Sequence, residues 1–131
     1  MAANGLTMDN SDIIGFVVAC AFSSAINLDE LRKWCSDVVI KNNRVEEIPE
    51  YIFELMDFNM ALMHIFKIIG FIPSWKRTDA EDDALMGIAA YRGRLASDAT
   101  MNEEQAKQLL ADHPKILEKF KATFPFIDLP I

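Results

Sequence analysis

The sequence predicts an all-α protein, a compact single-domain bundle of six to seven short helices over residues 1–131. Apolar residues recur at spacings of three and four through most of the chain, as they do on one face of a helix. Capping residues and prolines divide these segments into helices of about 10 to 20 residues joined by short loops. No two segments combine the strict alternation and the turn that a β-hairpin requires.

The N-terminal third of the sequence is predicted to form a loose end followed by two helices. Residues 1–8 lack periodicity and are expected to be disordered, and a first helix runs from Ser11 or Asp12 to about Ser24. The FVVACAF run is also compatible with a buried strand, but helix is favoured because the apolar segment is long and no hairpin signal follows it. Asn27 and Glu30 then have the spacing of a capping box for a second helix.

The stretch from 48 to 72 is predicted to be a central helix around which the chain packs. Pro49 suits its first turn, residues 57–59 mark a break or kink, and Gly70 is the expected C-terminal cap. The second half is apolar on nearly all sides and should therefore be covered, with His64 as a hydrogen-bonded core histidine.

The loop after Gly70 contains Trp75 next to Lys76 and Arg77. An exposed tryptophan beside cations would be a contact anchor for a partner. A tryptophan folded back over the core as a lid is the other interpretation, since large aromatic side chains are mostly buried.

The last third predicts three helices. Thr78 with Glu81 forms a capping box for a helix to about Ser97, and Thr100 with Glu103 repeats the pattern for the next. Pro114 and Pro125 begin and end the last helix. Small residues at steps of three would let a neighbouring helix approach closely: Gly87, Ala90 and Gly93.

The charge balance restricts the class of partner. A net charge of −7 and a sequence pI near 4.7 disfavour nucleic acid and anionic membranes and favour basic partners. No apolar run reaches the roughly 18 to 20 residues of a membrane span. The run 13–22 follows Asp9 and Asp12 rather than the cations of a signal peptide. We therefore expect a soluble, cytoplasmic chain.

Residues for catalysis and metal binding do not form a recognisable set in the sequence. His64 and His113 are the two histidines, and neither has the spacing of a metal site. Cys20 and Cys35 lie in apolar helical patterns and are expected to be buried free thiols, with a disulfide as the alternative. We expect no cofactor, no metal and no enzymatic activity, while an enzyme that uses unassigned carboxylates stays open.

Carboxylates are concentrated around the start of the central helix. Five of them, with Tyr51 and Phe58 interleaved, fall within about three helical turns: Glu46, Glu47, Glu50, Glu54 and Asp57. A solvated helix face is one interpretation. The other is a docking surface that mimics a polyanion and binds a basic cleft, with Trp75 as a possible anchor.

Two segments, LDELRKWCSDVVIKNN and EEIPEYIFELMDF, resemble those of small, acidic, all-helical bacterial immunity proteins, including those of contact-dependent growth inhibition systems. The resemblance covers about residues 27–72 and implies a toxin inhibitor that works through protein–protein interaction. Together with the five carboxylates and the missing catalytic set, the resemblance predicts as partner a cognate toxin domain, basic and of nuclease type, bound by a monomer or weak dimer. The alternative is a helical regulator or adaptor that forms a homo-oligomer through apolar faces such as Gly87, Ala90 and Gly93.

Overall fold

The computed structural model describes residues 5–42 and 44–131, and in these ranges the protein is all-helical with no strand. This confirms the predicted fold class and number of helices. The α-helices are α1 (Asp12–Phe22), α2 (Leu28–Lys41), α3 (Glu50–Leu55), α4 (Ile65–Ile69), α5 (Asp79–Tyr91), α6 (Glu103–Asp112) and α7 (Pro114–Thr123). Two 3₁₀ turns, Val45–Glu47 and Leu62–His64, precede α3 and α4.

The chain forms two compact units. The first contains residues up to 21 together with 27–75, and the second contains 22–26 together with 76–131. Each unit contributes fully buried apolar side chains, among them Phe16, Ile52 and Phe58 in the first and Leu85 and Phe120 in the second.

The first unit begins with a packed turn at residues 5–8. The Gly5 carbonyl accepts hydrogen bonds from the amides of Ile13 and Ile14, both at 3.0 Å. Leu6 is buried, and its carbonyl accepts a hydrogen bond from the Tyr51 hydroxyl. This part of the segment that we expected to be loose is therefore held against the fold, while residues 1–4 lie outside the described residues.

The first two helices form as the sequence indicates. The FVVACAF run is helical in α1, so the strand alternative is wrong. At the start of α2 the Asn27 side chain accepts from the Glu30 amide at 2.8 Å. The Glu30 carboxylate accepts in turn from the Asn27 amide at 2.9 Å, which confirms the capping box.

The predicted central helix is two short helices, α3 and α4, separated by a turn. Helix α3 ends at Leu55, a hydrogen-bonded turn continues to Phe58, and Ala61 is extended with ψ 143°, so the break predicted at 57–59 is confirmed. After this break only Ile65 and Ile69, one turn apart, are buried in α4. The predictions that this half is covered on most sides and that His64 is a core residue are wrong.

Ser74, the residue before Trp75, makes two close contacts with α1 and so holds Trp75 against this helix. The Ser11 hydroxyl accepts from the Ser74 amide at 3.0 Å and donates to the Ser74 carbonyl at 3.1 Å. A Cβ at Gly15 would lie 2.5 Å from the carbonyl carbon of Ser74, so only glycine allows this approach. Trp75 then packs edge-on against Phe16, with ring centroids 4.9 Å apart.

In the second unit, α5 begins at the predicted capping box but ends earlier than predicted. Thr78 and Glu81 make the reciprocal bonds, at 3.1 and 2.8 Å. Gly93 has φ +69°, and the amides of Gly93 and Arg94 donate to the carbonyls of Ala90 and Ala89, at 3.1 and 2.8 Å. This Schellman motif ends the helix at Tyr91 rather than near Ser97.

The next helix, α6, is capped by Asn102 and not by Thr100. The Asn102 side chain accepts from the Gln105 amide at 2.8 Å, and the Gln105 side chain accepts from the Asn102 amide at 3.0 Å. The predicted pair of Thr100 and Glu103 lies two residues too early. Asparagine is as good an N-cap as threonine, and glutamine can replace glutamate as its partner.

Helices α5 and α6 approach each other at Gly87. A Cβ there would lie 2.5 Å from the Ala106 carbonyl oxygen and 2.6 Å from the Leu110 Cβ. The predicted close approach is therefore confirmed at Gly87, and the neighbouring helix belongs to the same chain. Gly93, in contrast, serves to end α5.

We predict that the capping box of α5 makes stability depend on pH. The Thr78 backbone amide, bonded to the Glu81 carboxylate, lowers the pKa of Glu81 below its ordinary value of 4.5. This contribution is present above pH 4.5 and lost as the pH falls through the lowered pKa. Glu81→Gln should flatten the dependence in urea unfolding between pH 7 and 3.5, and Thr78→Ala should cost about 1 kcal/mol at pH 7.

The capping box of α6 supplies the control for this prediction. Its partner, Gln105, carries no charge, so Asn102→Ala should cost a similar amount that does not change across the same pH range. An equal slope in wild type and Glu81→Gln would contradict the assignment to Glu81.

Candidate partner-binding surface

Helix α3 has one buried side and one exposed side. Tyr51, Ile52 and Leu55 are buried, whereas Glu50, directly before them, and Phe53 and Glu54, between Ile52 and Leu55, are exposed. The amides of Met56, Asp57 and Phe58 donate to carbonyls three or four residues earlier, so helical curvature continues past Leu55. Asp57 therefore stays on the same side as Glu50 and Glu54, at steps of four and three.

We call Glu50, Glu54 and Asp57 the acidic face. All three are exposed, and none forms an ion pair with a cation among residues 5–42 and 44–131. Arg32 binds the Phe58 carbonyl and Asp29. The charges of the acidic face are thus left for solvent or a partner.

The sequence grouped two more glutamates with these three, and the structure separates them. Glu46 and Glu47 lie in the 3₁₀ turn, and the extended residues Ile48 and Pro49 interrupt the helical spacing before α3. Glu47 is half-buried and pairs with Arg44, whose Nη1 lies 3.4 Å from its carboxylate oxygen. Glu46 is exposed and lies four residues before Glu50 in the sequence.

The aromatic residues of this region are also placed differently from the prediction. Tyr51 and Phe58, predicted to be interleaved with the acids, are buried, and the aromatic ring on the exposed side is that of Phe53. Trp75 exposes only 4 % of its surface, so the structure gives it the lid position and removes it from the candidate surface.

The local chemistry of α3 explains how like charges can share this short helix. Carboxylates four residues apart repel each other by a few tenths of a kcal/mol. Glu50 lies in the first turn, where the helix dipole favours a negative charge. On the opposite side, full burial of Ile52 and Leu55 stabilises the helix by about 1.5–3 kcal/mol per side chain, which exceeds the repulsion.

The cysteines are buried and free, which confirms the prediction of unpaired thiols. Burial raises the pKa of Cys35 to about 12, so its thiolate is disfavoured at neutral pH. Within residues 5–42 and 44–131, no three histidine, cysteine or acidic side chains are grouped as metal ligands. None of the helices described has the length and apolar character needed to span a bilayer.

The second unit contains a cleft of about 250 Å³, lined by residues 22–24, by Met86 of α5 and by the loop that follows α5. Most of the side chains that line it are small or apolar, and Asp98 contributes its one carboxylate. The lining residues are Phe22, Ser23, Ser24, Met86, Leu95, Ala96, Asp98, Ala99 and Thr100. This lining combines apolar side chains with hydroxyls and a single carboxylate.

No protein-family model, curated protein or solved structure matches this chain.

Proposed function

We propose that this protein is an immunity protein that binds and neutralises a cognate bacterial toxin domain, of nuclease type, by covering a basic surface of the toxin. The single observation that supports this proposal is the acidic face, in which Glu50, Glu54 and Asp57 form no ion pair with a described cation. A nuclease must attract a polyanionic substrate, so the surface around its active site is expected to be basic.

The charge of the whole chain supports the same partner. A net charge of −7 favours approach to a basic domain over a long range at low salt. Exposed carboxylates that face solvent in the free protein bind without first breaking an internal ion pair. Recognition of this kind speeds association more than it slows dissociation, and it weakens as salt screens the charges.

The proposal is tested by charge reversal. Glu50→Lys with Glu54→Lys should weaken binding to the cognate toxin domain by about 1–2 kcal/mol at low salt, roughly five- to thirtyfold. Glu104→Lys with Glu118→Lys is the matched control, since both residues are exposed, form no described ion pair, and change the net charge equally. Equal weakening by both pairs would show that only net charge matters and would move the interface away from α3.

The toxin for this experiment should be encoded beside the gene of this protein. A large secreted protein with a variable C-terminal domain in the neighbouring reading frame is the expected source. Expression of that C-terminal domain should arrest growth, and co-expression of this protein should restore it. Growth arrest that persists despite co-expression would overturn the proposed function.

The homo-oligomer alternative loses the apolar face that the sequence offered as its example. Gly87 and Ala90 are buried, and the space beside Gly87 is occupied by α6 of the same chain. Those two positions are therefore closed to a second copy unless α5 and α6 separate.

A further inference from the structure

The turn that follows the acidic face exposes methionine side chains. Met60 and Met63 expose 46 % and 72 % of their surface, and Phe53 on the acidic face is also exposed, at 37 %. The sequence places both methionines in an apolar segment that we expected to be covered. In the structure the extended residue Ala61 interrupts that segment, and both methionines face solvent.

The methionines lie within reach of the acidic face. Three residues of chain span at most about 11 Å, so Met60 is no farther than that from Asp57. The His64 amide donates to the Ala61 carbonyl at 3.0 Å, which keeps the following turn tight around Met63. Apolar and acidic side chains thus occur together along residues 50–63, and we call this segment the mixed surface.

We infer that the mixed surface binds a basic amphipathic helix, and that such a helix is the part of the toxin that the proposed function requires it to recognise. Lys or Arg at steps of four and three on that helix would match the spacing of Glu50, Glu54 and Asp57. Methionine is flexible and polarisable, so Met60 and Met63 can adapt to an apolar helix face.

Other occupants fit the mixed surface less well. An extended peptide that binds by strand addition needs a sheet edge, and the described ranges contain no strand. Nucleic acid and anionic lipid headgroups carry the same charge sign as the acidic face and are repelled by it. A purely cationic peptide would leave the methionines in contact with water, whereas an apolar face covers them.

The inference is tested with synthetic peptides and the full-length protein. The probe is a 21-residue peptide of Lys and Leu with an apolar face of helical period. Two further peptides are compared: one with Glu in place of Lys, and one with Ser in place of Leu. Titration calorimetry at low salt should show binding of the Lys/Leu peptide, at least tenfold weaker binding of the Lys/Ser peptide and none of the Glu/Leu peptide.

Variants then locate the binding. Met60→Gln with Met63→Gln should weaken the Lys/Leu peptide about tenfold or more. Met8→Gln is the matched control, because Met8 is as exposed as Met63, at 71 %. All three methionines face solvent, so circular dichroism should report an unchanged fold.

Three outcomes would overturn the inference: equal binding of the Lys/Ser and Lys/Leu peptides, equal effects of the Met8 and Met60/Met63 substitutions, or tighter binding to vesicles of anionic lipid than to the peptide. The peptide experiment needs no toxin. Peptide binding without rescue of growth would therefore refute the proposed function alone, and rescue without peptide binding would refute only the helical partner.

Discussion

Replacement of Trp75 by alanine is expected to destabilise the protein by about 3–5 kcal/mol, the range for a large buried aromatic side chain. Trp75 is 4 % exposed and packs edge-on against Phe16. Its removal would leave a cavity that the surroundings cannot fill, since Ser74 is fixed to α1 through the Ser11 hydroxyl and the close approach to Gly15. Urea unfolding followed by circular dichroism measures the loss.

Two variants make this result specific. Trp75→Phe keeps an aromatic ring beside Phe16 and should cost clearly less than alanine. Phe53→Ala removes an exposed ring from the acidic face and should change stability by about 1 kcal/mol or less. If Trp75 were a contact anchor, its alanine variant would unfold like wild type and fail only in binding. That result would contradict the lid position.

Local chemistry determined what could be predicted about the ends of helices. A capping box needs two side chains three residues apart, so Asn27 with Glu30 and Thr78 with Glu81 were visible in the sequence. The cap of α6 was misplaced because two pairs satisfy the same pattern within three residues. The structure uses Asn102 with Gln105, and the pattern of the two pairs alone does not distinguish them.

Tertiary neighbours determined what could not be predicted. The composition of residues 60–69 indicated coverage on most sides, but only Ile65 and Ile69 are buried in α4. The apolar side chain of Met63 does not reveal, from the sequence alone, whether another element packs over it. Likewise, the position of Trp75 depends on Ser11, a residue 63 positions away from the Ser74 that it binds.

The candidate surface was predicted in part for the same reason. Glu50, Glu54 and Asp57 share a side because helical spacing puts them there, and spacing can be read directly. Glu46 and Glu47 were grouped with them on the assumption that the helix extended upstream. Pro49 instead forms the N-cap of α3 with an extended ψ of 141°, which places the two glutamates in a separate turn.

Substitution of Gly87 by valine is expected to cost about 3 kcal/mol of stability. The new Cβ would lie 2.5 Å from the Ala106 carbonyl oxygen, a backbone atom that can move only if α6 moves. Gly87→Ala should cost less, because alanine regains about 1 kcal/mol of helix propensity and adds fewer atoms. Ala122→Val, at an exposed position of α7, is the control and should cost under about 1 kcal/mol.

The Gly87 series also tests the contact against the oligomer alternative. If Gly87 packs on α6 of its own chain, Gly87→Val lowers the free energy of unfolding by the same amount at all protein concentrations. If Gly87 instead lay between two copies, the loss would depend on concentration, since an oligomer gains stability by mass action. Chemical denaturation at two concentrations a hundredfold apart separates the two cases. A concentration-independent loss, graded from alanine to valine, is the result that the packing of α5 on α6 requires.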